Sequence, residues 1–160
     1  MLYYWRMLQH FFVSNSRHGT HSPFVYKLAD QVIYKKKEEI EGSVDLPTKF
    51  SKTYCFLLQD ILAYLGVHEL QRGREKQDAA ALFFEHDELD VSKLKLAMKK
   101  KQIVIMDQPH KNNKVHTLWN HLVQDSSVTV SLDLFYFGLL LYREGQRKEH
   151  FLLRYPFWKY

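Results

Sequence analysis

The chain has 160 residues, enough for one domain with a sizeable hydrophobic core. Its composition, 46% hydrophobic and 26% charged, is that of a soluble globular chain, and neither a disordered nor a membrane class fits it. A formal charge of +5 is too mild to demand an anionic partner, and the longest apolar run, Leu132 to Tyr142, contains Asp133 and falls far short of the roughly 20 residues that span a bilayer.

At the N-terminus, MLYYWRMLQHFFV places Leu2, Trp5, Leu8 and Phe12 at helical spacing, which predicts a helix over Leu2 to Val13. The segment lacks a basic n-region and a small-residue cleavage site, so it is read as a docked helix, and a cytoplasmic location is expected. In RHGTHSPFVY, Ser22 is an N-cap and Pro23 takes the first helical position, opening a second helix through Phe24, Leu28 and Val32. KKKEEIEGSVDLP reads as a solvated helix end and loop, closed by Gly42 and Pro47. A third helix is predicted from Thr48 to Leu65, with its apolar stripe at Phe50, Tyr54, Leu57, Leu58, Ile61 and Leu65 and Gly66 where a C-cap glycine belongs. It carries Cys55. One cysteine permits no internal disulfide and no cysteine-based metal framework, and a buried structural thiol is expected.

The texture then changes. GVHELQRGREKQD is polar, holds two glycines and shows no clear period, so it reads as loop, with only a weak strand signal in VHEL. Beyond it AAALFFE reads as a short buried strand, DVSKLKLAMKKK as a basic helix, QIVIMD as a second buried strand, and KVHTLWNHLVQD as a helix with Val115, Leu118, Trp119 and Leu122 on one face. VTVSLDLFYFGLLLYR and HFLLRY are expected as an antiparallel pair joined by EGQRKE. The implied class is α/β, with a helical region over 1–66, a linker over 67–78 and a half-sheet over 79–160, all within one compact domain.

Several of these segments resemble a group of bacterial class I methyltransferases that use S-adenosylmethionine. HGTHSPFVYKL resembles that group's N-terminal HG-x-HSPFVF signature, QIVIMDQPHKN its strand-five motif V-I-x-F-D-D-I-H-W, ALFFEHDELD its strand-four motif F-I-D-G-N-H, and VTVSLDLFYFGLLLYREGQRKEHFLLRY its closing hairpin. The resemblance implies strands four to seven of a Rossmann-like sheet behind N-terminal helices. Between the third helix and ALFFE, the family would place the cofactor half, whose three βα units need on the order of 75–90 residues. Gly66 to Asp78 offers thirteen positions. HELQRG echoes the phosphate-side turn E-L-G-x-x-x-G but lacks the helix and acidic strand that must follow it. Departures continue downstream: Glu85 stands for the strand-four Asp, Glu88 for its trailing His, Gln108 for the second strand-five acid and Lys111 for the Trp, while Asp107 and His110 are kept.

His86, Asp87, His110 and Lys111 follow strand ends and are expected at the carboxyl edge of the sheet, where open α/β folds bind ligands. His18, His21 and His110 are the catalytic candidates. Glu85 and Asp107 are candidate oxygen ligands for a divalent metal, the alternative being that both acids cap the helices that follow. His116 and His121, five apart, miss the spacing of a zinc pair. Lys93, Lys95 and Lys99 to Lys101 lie on or close the basic helix, whose C-terminal dipole favours cations, and no nucleic-acid motif accompanies them; neither a nucleic-acid nor a membrane partner is expected. A sheet without its first three strands would leave the ALFFE strand as an open edge, inviting a homodimer or a protein partner, or cover by the N-terminal helices. The leading expectation is a methyltransferase-like binding or regulatory module that holds no S-adenosylmethionine and no other cofactor. The alternative is a residual methyltransferase or metal-dependent enzyme working at the carboxyl edge.

Overall fold

A computed structural model describes residues 1–15, 21–35, 44–74 and 78–159. Its elements are α1 (Leu2–Val13), α2 (Pro23–Leu28) running on into a π-helical turn (Ala29–Ile33), α3 (Cys55–Tyr64), β1 (Leu70–Arg72), β2 (Ala81–Phe84), α4 (Val91–Lys99), β3 (Ile103–Asp107), α5 (Asn113–Gln124), β4 (Val130–Asp133), β5 (Phe137–Leu141) and β6 (Glu149–Leu152). The strands form one mixed sheet in the order β1-β2-β3-β5-β4-β6. β1, β2 and β3 are parallel. β5 is inserted antiparallel between β3 and β4, and β6 pairs parallel with β4.

Alternation along the strands sends side chains to two separate cores. Phe83, Ile105, Leu132 and Leu139 pack beneath α2 and α3 with Leu28, Leu58 and Ile61, while Leu82, Phe84, Val104 and Leu140 pack beneath α4 and α5 with Leu94 and Trp119. The chain is therefore an α/β layer structure with a sheet covered on both faces, which is why β2 and β5 read as unbroken apolar runs and β3 is apolar up to its closing Asp107. α1 does not join either layer. Its sole buried residue is His10, and it lies across the carboxyl edge of the sheet, with the Arg6 guanidinium donating to Asn113 Oδ1 at 2.6 Å and to the His110 carbonyl at 3.4 Å.

Helix termini follow their local chemistry. Ser22 Oγ accepts from Val25 N–H ahead of Pro23. Past α3, Gly66 sits at φ 72° and Val67 N–H reaches back to the Leu62 carbonyl, a glycine cap of the expected kind. α4 and α5 are capped by Asp90 and Asn112, so the idea that Glu85 and Asp107 cap them is wrong.

Four further expectations need correction. The 67–78 segment is not all loop: β1 lies inside it and pairs with β2, although of its three residues only Leu70 is fully buried. The ALFFE strand is thus not an edge, and the outer strands are β1 and β6, which meet short bridges from Asp45–Glu69 and Asn15–Leu153. The closing apolar run is two strands rather than one. Asp133 Oδ1 accepts from Phe135 N–H at 2.9 Å, folding Leu134 to Tyr136 into a tight turn, and HFLLRY then pairs parallel with β4 rather than antiparallel with its predecessor. The third helix begins at Cys55, not Thr48, because Pro47 to Phe50 form a turn; Cys55 is accordingly half-buried at the helix start rather than in the core, and partial burial raises its thiol pKa.

Candidate functional site

β2, β3 and β4 all run in one direction, so the residues that end them meet at one edge. Glu85 follows β2, Asp107 closes β3 and Asp133 closes β4. Buried carboxylates at strand ends require partners, since an unpaired charge in a low-dielectric interior is costly. Two clusters form around them.

The first is centred on Asp107, which is fully buried. Its carboxylate accepts from the Tyr54 hydroxyl in a short hydrogen bond, from Lys52 Nζ at 3.2 Å, and meets His86 Nδ1 at 2.6 Å. Burial, and then the Asp107 charge, push the Tyr54 hydroxyl well above the ordinary tyrosine range, so it remains a donor. Lys52 also lies 3.7 Å from Glu85, whose other oxygen is 2.7 Å from Arg72. An ammonium therefore bridges the two acids proposed as metal ligands, and a divalent cation there would have to displace it. A histidine oriented through Nδ1 by a buried acid is the arrangement that prepares an imidazole as a general base.

The second cluster is centred on Asp133. Its Oδ1 accepts from Phe135 N–H at 2.9 Å and lies 3.2 Å from His10 Nε2; its Oδ2 lies 2.8 Å from His110 Nε2 and accepts from Trp119 Nε1 at 3.1 Å. Burial alone would raise this carboxyl, but the hydrogen bonds from His10 and His110 outweigh it and hold it below the usual carboxylate range. Asp133, His10 and His110 are all buried, and one ligand atom from each lies within 4.8 Å of the others. Two imidazoles and a carboxylate are a donor set suited to a transition metal. Here Oδ1 accepts from Phe135 N–H, Oδ2 meets Trp119 and His110, and His10 Nε2 also lies 3.2 Å from the Asp133 main-chain carbonyl, so the set forms a hydrogen-bonded hub.

Backbone strain marks the same edge. Gln108, directly after Asp107, has φ 42°, and Phe135, two after Asp133, has φ 69°. The left-handed region disfavours a bulky side chain, and such residues persist where their surroundings over-determine them. Phe135 is held by its N–H on Asp133 and by stacking on His110, with ring centroids 4.9 Å apart and planes 10° apart. Beside it, α1, the β4–β5 turn and the C-terminal segment enclose a cavity of about 240 Å³ walled by His10, Phe11, Phe135, Tyr136, Tyr155 and Phe157 among others.

The residues singled out from sequence are not gathered into one site. His110 is in the Asp133 hub, and Glu85, His86 and Asp107 share the first cluster. His21 lines an open cleft with Arg143 and Glu149, which lie past the end of β5 and at the start of β6; both are at the amino edge, the opposite end of the sheet from His110. His18 lies outside the described residues. His116, set aside as a metal ligand, has its ring 4.9 Å from that of His110, and burial lowers its pKa. Sequence reasoning missed His10, Lys52, Tyr54, Arg72, Trp119 and Asp133 as site residues. Only Asp133 carried a signal, as the one charge within the longest apolar run. No protein-family model, curated protein or solved structure matches the chain. No helix among the described residues is long and apolar enough to cross a membrane.

Proposed function

We propose that this chain is a shortened relative of the class I methyltransferases that no longer holds the methyl donor and acts as a binding module through the carboxyl edge of its sheet. The reading is supported by the strand order. An antiparallel β5 set between β3 and β4, with β1, β2 and β3 parallel beyond it, is the order expected if β2 to β5 correspond to strands four to seven of the family.

The observation that carries the proposal is what stands beside β2. One three-residue strand occupies the place where a donor-binding half would need three βα units. The acidic groups at the edge are turned inward onto Lys52, Arg72, Tyr54 and the imidazoles, rather than towards a ribose or an amino acid. Methyl transfer requires the sulfonium held in line with its acceptor, and these residues would not position it.

Isothermal titration calorimetry of the whole chain with S-adenosylmethionine and with its demethylated product tests this. No heat of binding is expected for either. Saturable binding in the micromolar range would overturn the proposal.

A further inference from the structure

We infer that His10, His110 and Asp133 form a binding site for a divalent transition-metal ion of the zinc type, which fastens α1 to the carboxyl edge of the sheet. This does not rest on the proposed ancestry.

The donor set is the first argument. Three residues from distant parts of the chain, on α1, after β3 and at the end of β4, bring one ligand atom each within 4.8 Å of the others, and all three are buried. His10 Nε2 lies 3.2 Å from Asp133 Oδ1, and His110 Nε2 lies 2.8 Å from Oδ2. Ligand atoms held at about 2.0–2.2 Å around a tetrahedral zinc ion lie about 3.3 Å from one another. Both contacts are close to that spacing, and the ion takes the place of the Nε2 protons. Two imidazoles with one carboxylate select zinc and its neighbours over magnesium or calcium, which take oxygen ligands. Three protein ligands leave a position open for water.

The surroundings hold these side chains in place, as ligands of a metal must be held. Phe135 N–H and Trp119 Nε1 donate to the Asp133 carboxylate at 2.9 and 3.1 Å, so it keeps two hydrogen bonds when the imidazoles turn to an ion. The His110 ring stacks on Phe135, and the His10 ring packs against both His110 and Phe135, each with centroids 5.5 Å apart. One more polar atom in this corner lacks a partner: His116 Nδ1 is buried and makes no hydrogen bond, with its ring 4.9 Å from that of His110.

α1 is the element whose docking depends most on this site. His10 is its sole buried residue, while Trp5 and Phe12 are 60% and 77% exposed, so little apolar burial holds the helix down. Arg6 donates to Asn113 Oδ1 and to the His110 carbonyl, which sets His10 across from His110. A metal–nitrogen bond at that one buried position governs how firmly α1 sits.

The test titrates the full, untagged chain, stripped with EDTA, with Zn²⁺ by calorimetry and with Co²⁺ by visible absorption. One equivalent of Zn²⁺ is expected to bind with a Kd of about 1 μM or tighter. Co²⁺ should give the intense visible band of a four-coordinate site, which Zn²⁺ then displaces, and Mg²⁺ should not bind. Zn²⁺ in hundredfold excess over its Kd should raise the melting temperature by roughly 5–10 °C and slow amide exchange in α1 by about tenfold. His10→Gln, checked for an unchanged circular dichroism spectrum, should weaken Zn²⁺ by roughly a hundredfold and abolish the protection of α1. X-ray absorption at the zinc edge of the unaltered chain should show two imidazole ligands, and needs no variant to fold. Absence of one-to-one Zn²⁺ binding, or a spectrum with fewer than two imidazoles, would overturn the inference. Binding that survives His10→Gln and is lost in His86→Gln would place the ion at the Asp107 cluster and overturn it too.

Discussion

Asp133→Asn is the sharpest probe of the site, because it changes charge and donor pattern while keeping shape. The Asp133 carboxylate receives three hydrogen bonds, from Phe135 N–H on Oδ1 and from His110 Nε2 and Trp119 Nε1 on Oδ2, while His10 Nε2 lies 3.2 Å from Oδ1 and hydrogen-bonds the Asp133 main-chain carbonyl. An asparagine offers one oxygen and one NH₂, so in either orientation at least one donor faces another donor. The His110 imidazole can shift tautomer and accept. Trp119 Nε1 and the Phe135 backbone N–H cannot, so one of these two is left buried and unpaired at a cost of about 1–3 kcal/mol. The two surviving bonds pass from charge-assisted to neutral, and each loses about 1 kcal/mol. The sum is about 4 kcal/mol, a large share of the roughly 5–15 kcal/mol that stabilises a typical domain. For a chain of this length that corresponds to a melting temperature lower by roughly 8–16 °C. Urea denaturation and thermal melts at pH 7 measure both. The acid limb gives a second reading. Because folding holds the Asp133 pKa below its unfolded value, its contribution is present above the unfolded pKa of about 3.9 and is lost as pH falls towards the folded one. The variant should therefore lose less stability on acidification than the parent. A loss under about 1 kcal/mol at pH 7, with an unchanged acid limb, would refute the view of Asp133 as a charged hub.

Much of the architecture was legible in the sequence because it rests on short-range rules. α1 was bounded by apolar spacing alone, the start of α2 by Ser22-Pro23, and the end of α3 by Gly66; β2 and β3 were apolar runs of strand length between helices. The failures have physical causes of two kinds. β1 exists because β2 offers an unpaired edge, not because Leu70-Gln71-Arg72 favours a strand, and its half-buried Gln71 and Arg72 hide it from any periodicity. The β4–β5 turn lacks glycine, asparagine and proline within it: Phe135 takes the left-handed position, and the turn signal is the side chain of Asp133, which a reading of apolar runs treats as an interruption. The site divides in the same way. Acids at strand ends were visible, but some of their partners come from α1 and from the turn before α3, more than fifty residues away, and no local pattern announces that His10 and Tyr54 will reach them. His21 was misleading for the opposite reason. Its neighbours Ser22 and Pro23 form a real cap, yet the fold carries that cap to the amino edge.

Two further predictions test the packing of these clusters. A Cβ at Gly138 would lie 2.3 Å from the Trp119 ring, and the ring cannot retreat because its Nε1 is bound to Asp133; Gly138→Ala should destabilise the fold by about 1–3 kcal/mol, read by urea denaturation with tryptophan fluorescence. Wild-type stability in that assay would place Trp119 elsewhere. The other concerns Tyr54, whose folded pKa is raised first by burial and then by Asp107. A raised folded pKa means that the stabilisation is complete below the unfolded value of about 10 and is lost as pH rises beyond it. Each pH unit above 10 should then cost about 1.4 kcal/mol from this residue alone until the folded pKa is reached. Tyr54→Phe removes that slope, at the expense of about 1–3 kcal/mol at neutral pH from leaving Asp107 one donor short. Parallel denaturation series at pH 8, 10 and 11, with tyrosinate absorbance followed alongside, distinguish the two effects. If the variant and the parent lose stability with the same slope above pH 10, Tyr54 ionises in the folded chain and the buried Tyr54–Asp107 contact is not what holds the first cluster together.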